Sequence, residues 1–404
     1  MHTLVYIRRS QSFNNAVIHY AKEEIPSTRI TTVSEYFNGD LRIDMNDKSN
    51  DYCWRAQQYL IDELNLPEII FRDRLLRNTT HRDALVLVRR AVASVLNLLD
   101  NHVFDSLVTY PVDNYIMDIL VQIAKKKNIP CYGVCNFFIG DYKRQTVFGE
   151  HNPHREVDSL EAGRVLDSLQ NGFRSHMAPS RGKAFKAALV RYIRYKIRYP
   201  LFYLVGCKLF KRNEYDLMVT PHITTVRNAV NFFVERHFKP VSKIDFDKKS
   251  ILVPLHYFPE ATVEYWSGKL SQVEFEDMLL CEINQLSDRY EQIILKEHPA
   301  AVYDNPSAFY KRLLLNPKVV LVDPFVSTSE LLEVVDVLGC WTGTAGIEAL
   351  VNGKKVELFT NESYYRKALD LHAEAVEVHG KAIALKDPLI FVKEILKGCM
   401  PVEK

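Results

Sequence analysis

What this 404-residue chain lacks narrows what it can be. No apolar run reaches the roughly 18 residues that a membrane span needs. His2 to Ile7 is followed at once by Arg8 and Arg9, so no signal peptide is read at the start. Seven cysteines, an odd and scattered set, build no disulfide framework. That usage points to a reducing compartment and a cytoplasmic protein. Cys131 and Cys135 lie four apart with no second pair or His cluster nearby, so they read as buried thiols and not as a zinc site. The charge is nearly balanced, at +2, which gives no pull toward nucleic acid. There is no internal repeat and no low-complexity tract.

What is present fits a soluble two-domain protein. The length exceeds one ordinary core and suits two domains of roughly 150 to 220 residues. Hydrophobic residues make up 47% and charged residues 25%, as in ordinary globular chains. Strand-like and helical segments alternate. Thr3 to Ile7 reads as a buried strand, and the apolar run Ile69-Ile70-Phe71 as a short strand ending before Asp73. A helix over about 82–100, a strand at Ser106 to Tyr110, a helix from Asp113 to Lys127 and a strand at Ile129 to Val134 follow. The second half repeats this pattern, with strands at Ser250 to Leu255, Gln292 to Lys296, Val319 to Val322, Val337 to Trp341 and Val356 to Phe359. Such alternation predicts parallel sheets with helices on both faces. The fold class expected is therefore α/β, with two Rossmann-like domains facing a cleft. The division expected is 1–215, 216–385, and a terminal helix over 386–404 that packs back on the first domain.

One stretch between the halves stands out. From Ser180 to Asn213 there are ten Lys or Arg and no acidic residue, interleaved with Tyr192, Tyr195, Tyr199, Phe202, Tyr203 and Phe210. It reads as a helix lying on an anionic membrane, or as an amphipathic helix packed on its own domain with a solvated basic face.

The chemistry gathers at strand ends in the second half. Thr342-Gly343-Thr344-Ala345-Gly346 joins an apolar strand to a helix, and the first amides of a helix favour an anion. His256 and Glu260 follow the first strand of that half, Lys296 and His298 the second, and Ser327 to Glu330 the third. Polar groups at successive carboxyl ends of parallel strands converge on one crevice. A cation, imidazole donors, hydroxyls and helix amides together suit a phosphate-bearing ligand, and Glu260 and Glu348 are carboxylates for a ribose diol. Each residue also has a structural reading, and Ser327 to Glu330 equally reads as a helix cap.

Taken together, Pro254-Leu255-His256-Tyr257-Phe258-Pro259-Glu260, Lys296-Glu297-His298-Pro299 and Thr342 to Leu350 with Gly353-Lys354 resemble the capsule polysaccharide biosynthesis family. That family includes two-domain glycosyltransferases of the GT-B type, among them bacterial Kdo transferases. The His-Pro pair and the Ser/Thr-rich turn are also similar to those of bacterial sialyltransferases and teichoic-acid glycerophosphotransferases. The resemblance covers about 250–360; Lys355-Val356 departs from the Pro-Val that often follows Gly-Lys in the family. It implies that Lys296 and His298 meet the donor phosphate, and that Ser327, Ser329, Thr342, Gly343 and Thr344 complete the site. Glu260 and Glu348 would hold the nucleoside or position its partners.

The activity expected is transfer of a sugar from an activated donor to a lipid-linked or oligosaccharide acceptor, in assembly of a capsule or lipopolysaccharide-type polymer. No Asp-X-Asp pair falls at a strand end, so no metal and no cofactor are expected. An inverting reaction needs a base, expected from the first domain: Asp73 first, then Asp113, then Glu150. The alternatives are a polyol-phosphate or phosphoribosyl transferase on the same scaffold, and a non-catalytic subunit of glycan assembly.

Overall fold

The structure, a computed structural model, describes all residues except 10, 37, 46–55, 57, 60–62, 172, 174–178, 211–213, 220–233, 258–264, 266–271, 304, 306, 336, 361–364, 373–381 and 403–404. It divides into two compact units. Met1–Cys135, Gln145–Gly149 and Tyr195–Val226 form the first; Asn136–Arg144, Glu150–Arg194 and Arg227–Lys404 form the second.

In the first unit, β1 (His2–Tyr6), β2 (Arg29–Ser34), β3 (Leu41–Arg42), β4 (Ser106–Thr109) and β5 (Cys131–Asn136) are ordered β5-β4-β1-β2-β3. Every neighbouring pair is parallel. β4 is buried along its whole length, as parallel strands covered on both faces must be. Crossover helices start where the sequence supplies caps. Thr80 accepts the Asp83 amide at the head of His81–Asn101, and Asn114 accepts the Met117 amide at the head of Tyr115–Lys126. The run Ile69-Ile70-Phe71 is helical, inside Leu66–Arg72, where a strand was expected. Asn65 caps this helix through the Glu68 amide and Pro67 presets its first turn, so local capping outweighs the β preference of the apolar triplet. β2 has no counterpart among the expected strands. Cys131 and Cys135 are half-buried, not buried.

In the second unit, β7 (Ser250–Pro254), β8 (Gln292–Lys296), β9 (Val319–Val322), β10 (Val337–Cys340) and β11 (Lys355–Leu358) are ordered β11-β10-β7-β8-β9, again all parallel. β6 (Tyr142–Gln145) pairs antiparallel with β12 (Cys399–Pro401). Among the five parallel strands of each unit, the first lies in the middle, the next two extend to one side and the last two to the other. The order therefore reverses between β1 and β4, and between β7 and β10. Ligands of doubly wound sheets bind beyond the carboxyl ends at such reversals.

The division is not the expected single cut near residue 215. Helix Ser159–Gln170 joins the second unit because Ala162, Val165 and Leu169 share a core with Phe391, Ile395 and Leu350. Gln170 Nε2 also donates to the Val351 carbonyl at 2.7 Å. Helix Pro388–Leu396, capped by Asp387, lies in that same core, so the terminal segment 386–404 is part of the second unit.

Candidate anion site at the carboxyl edge of the second sheet

His256 leaves β7 and the Thr342-Gly343 turn leaves β10, the two strands flanking the reversal. The turn and the imidazole touch: a Cβ placed on Gly343 would lie 3.8 Å from His256 Cε1. His256 also meets Trp341 edge-on, with ring centroids 6.0 Å apart. Gly343 is the N-cap of helix Thr344–Val351, and no side chain caps that helix. The Gly346 amide donates back to the Gly343 carbonyl at 3.0 Å, and the helix amides before it face the turn. The Thr342 hydroxyl oxygen is buried and has no hydrogen-bond partner among the described residues. A buried hydroxyl left unmatched costs stability unless a ligand or water completes it.

The turn is held from behind by Tyr365, which is fully buried. Its hydroxyl lies 3.2 Å from Cys340 Sγ and donates to the Gly343 carbonyl at 3.4 Å. A Cβ on Gly346 would stand 2.3 Å from that hydroxyl. Gly346 is thus required by a close approach, which keeps the helix start pressed against the end of β10.

From β8 come Lys296, Glu297 and His298. The Lys296 side chain is buried with Glu348 and Glu297 as its nearest charges, and burial lowers its pKa from the ordinary lysine value. Glu297 is committed to structure: Oε1 accepts the His298 amide at 2.7 Å, and Oε2 accepts Asn305 Nδ2 at 2.7 Å and the Tyr310 hydroxyl at 3.0 Å. It fixes the loop that presents His298. His298 Nδ1 accepts the Ala300 amide at 3.2 Å, which puts the proton of the neutral ring on Nε2. Burial lowers the pKa of His256 to about 4, and burial, Lys296 and His256 together do the same to His298. Both imidazoles are neutral at pH 7, so the helix amides and the protonated form of Lys296 are the sources of positive character here. Burial raises Glu348 to about 7 against the pull of Lys296. An arriving phosphate would raise it further and favour its protonated form.

The remaining expected residues are placed differently. Ser327 Oγ accepts the Glu330 amide at 3.1 Å, and Ser329 Oγ donates to Ser327 Oγ at 3.1 Å. The helix-cap reading of this segment therefore accounts for both hydroxyls. Glu260 lies outside the described residues. Asp73, in the first unit, is fully buried. Oδ1 accepts the Leu75 and Leu76 amides at 2.8 and 3.0 Å, and Oδ2 accepts the Tyr115 amide at 2.9 Å. Asp113 is ion-paired with Arg8. Glu150 is exposed, belongs to the second unit, and its carbonyl accepts from Arg144 at 3.0 Å. Tyr365 was missed because nothing near it in sequence signals a contact with a turn more than twenty residues earlier. Glu297 was legible as an acid directly after a strand, but not its structural task.

Residues 174–382 match the model of the family described as capsule polysaccharide biosynthesis protein. The chain belongs to that family. The matched span contains every residue of the β7–β10 edge described above. No curated protein matches the chain by sequence. Among solved structures, it is similar to the Thermosulfurimonas dismutans β-Kdo 2,7 transferase KpsC, with 13% identity over 76% of this chain and 79% of that one, at a TM-score of 0.35. It is also similar to UDP-GlcNAc 2-epimerase from Neisseria meningitidis bound to UDP-GlcNAc, with 13% identity over 100% and 95%, at a TM-score of 0.31.

Proposed function

We propose that this capsule-family protein is a GT-B-type glycosyltransferase. It would move a sugar from an activated, phosphate-linked donor to a growing cell-surface polysaccharide, with the donor phosphate at the β7–β10 edge. The observation that carries the reading is the convergence of His256 on the Gly343 turn beside an uncapped helix start and the partnerless Thr342 hydroxyl. Lys296 and the helix amides would stabilise the leaving phosphate, and the neutral imidazoles would donate to its oxygens. The reading includes transfer without a metal.

The test is nucleotide release from an activated sugar in the presence of a glycan acceptor. His298→Ala should lower it at least ~100-fold, the scale of losing one oxyanion donor. Unchanged release would refute the site. Phosphorus retained in the product would point instead to a polyol-phosphate transferase.

The acceptor is read as lipid-linked or oligosaccharide, with the protein resting on an anionic membrane surface. No described helix is long and apolar enough to cross a membrane. In the first unit, however, Ile197, Leu201, Leu204, Leu209 and Phe210 are each more than half exposed. Lys196, Arg198 and Lys208 lie among them, which supports an interfacial segment. Phosphatidylglycerol vesicles should sediment the protein and phosphatidylcholine vesicles should not, and Leu201→Glu with Leu209→Glu should abolish the difference. Equal partition to both vesicle types would end this part of the reading.

A further inference from the structure

Helix Arg181–Ile193 of the second unit has two opposite sides with different surroundings. At 3.6 residues per turn, Arg181, Ala184, Ala188 and Arg191 share one side, and Lys186, Leu189, Val190 and Ile193 the other. The first side is packed. Ala184 and Ala188 are each 1% exposed and share a core with Leu255, Val302 and Tyr303. Arg181 pairs with Glu235 at 2.8 Å and with Asp323, and its guanidinium lies 4.7 Å from the centre of the Phe325 ring. Arg191 Nη2 donates to the Ala300 carbonyl at 2.9 Å.

These contacts reach the loops of the candidate anion site. Ala300 lies in the loop after β8, and its amide donates to His298 Nδ1 at 3.2 Å. One residue therefore holds the Arg191 guanidinium on one side and the imidazole on the other. Asp323 follows β9 and acts through its field: burial lowers the Lys296 pKa, and Glu348, Glu297 and Asp323 oppose that fall. The helix itself is weakly secured. Ser180 stands at its N-cap without a side-chain hydrogen bond, and the first turn holds Arg181 and Lys183 but no acid. Positive charge at a helix start opposes the dipole, and two alanines bury little apolar area. A surface that grips the other side adds order where the fold supplies little. On that side Leu189, Val190 and Ile193 are 36%, 38% and 49% exposed, and Lys186 is exposed beside them. The helix carries Arg181, Lys183, Lys186 and Arg191 and no acidic residue, which suits anionic lipid. In sequence, Ile193 stands four residues before Ile197, where the exposed apolar residues of the first unit begin.

We propose that this helix couples an anionic lipid surface to the candidate anion site. Lipid held by Lys186, Leu189, Val190 and Ile193 fixes Arg191, and Arg191 fixes His298 through Ala300. Arg191 is thus a positioning residue, acting through the loop and not on the ligand. Coupling is reciprocal, so an occupied anion site also tightens the hold on lipid. That the ligand affected is an activated donor rests on the glycosyltransferase reading; the link from lipid to His298 does not.

Hydrogen-exchange mass spectrometry on the full chain reads this link, because the amides of His298, Ala300 and Ala301 all donate within the loop. Phosphatidylglycerol vesicles should slow their exchange at least ~5-fold, the lower end of ordinary coupling, and phosphatidylcholine vesicles should not. Arg191→Met keeps the stem and removes the guanidinium, so it should still sediment with phosphatidylglycerol and show no slowing. Leu189→Glu with Ile193→Glu changes exposed positions only. It should melt and exchange as wild type without vesicles and lose the slowing with them. In a parallel titration, the tightest binder among CMP, UDP, GDP and CDP should gain at least ~5-fold in affinity on phosphatidylglycerol. Exchange unchanged on vesicles that sediment the protein, or slowed equally in Arg191→Met, would overturn the coupling. No sedimentation would overturn it together with the membrane reading. Lipid-dependent exchange without any nucleotide binding would sink the donor reading and leave the coupling standing.

Discussion

Two glycines three residues apart should respond to the same substitution in opposite ways. At Gly346, an alanine methyl would sit 2.3 Å from Tyr365 Oη and 2.9 Å from Cys340 Sγ, inside any real contact distance. Tyr365 is fully buried and its hydroxyl is engaged, so the ring has nowhere to retreat. Overpacking costs about 1–3 kcal/mol, and breaking the hydroxyl contact adds about 1 kcal/mol. Alanine returns about 1 kcal/mol of helix propensity. Gly346→Ala should thus lose about 2 kcal/mol. At Gly343 the nearest atom is His256 Cε1 at 3.8 Å, an ordinary contact, and φ is −67°, so no strain arises. The only loss there is the mild advantage of glycine over alanine at an N-cap, under about 1 kcal/mol. The methyl would, however, reach toward the imidazole at the turn where the phosphate is proposed to bind. Urea unfolding gives the stabilities, and calorimetric titration with the tightest binder among CMP, UDP, GDP and CDP gives affinity. Gly343→Ala should keep its fold and lose at least ~10-fold in affinity, about 1.4 kcal/mol. Wild-type affinity in Gly343→Ala, or wild-type stability in Gly346→Ala, would refute the reasoning.

Two further outcomes concern the first unit. Glu35 is held at about 8 against an ordinary value of 4.5, burial being the main cause. The folded state therefore keeps a proton that the unfolded state releases, and stability falls as pH rises from about 5 to about 8. Between pH 6 and 8 that amounts to about 2 kcal/mol, a slope that Glu35→Gln should remove in urea melts, and identical slopes would exclude the effect. Asp73→Asn leaves an amide nitrogen facing a backbone N–H and should cost about 1–3 kcal/mol. If the three amides explain this carboxylate, turnover per folded molecule stays within a few-fold of wild type; a 100-fold fall would restore it as a catalytic base.

The two halves of the chain were unequally legible, and the difference is physical. Strands with a continuous aliphatic stretch, such as Val319–Val322 and Ser250–Pro254, read as apolar runs and were found. Arg29–Ser34, carrying two threonines and an arginine, has no such run. Helix Leu66–Arg72 was read as a strand because three apolar residues carry no period, and only Asn65 and Pro67 betray it. The unit boundary was missed because it depends on which core Ser159–Gln170 enters, a contact with residues nearly two hundred positions away.

The same contrast explains the sites. In the second unit the proposed ligand edge is written as contiguous words, His256-Tyr257, Lys296-Glu297-His298 and Thr342-Gly343-Thr344, because each loop donates neighbouring residues. The span matched to the family, 174–382, begins after β1 to β5, the parallel strands of the first unit. In the first unit the corresponding edge draws single residues, Tyr6, Arg8, Glu35, Thr109 and Asp113, from three separate strand ends. None of these is a motif by itself. What unites them is an order of five parallel strands shared with the second unit and two buried hydroxyls without a partner among the described residues. Neither property exists before the chain is folded, so a grouping of this kind becomes readable only when topology places its parts on one face.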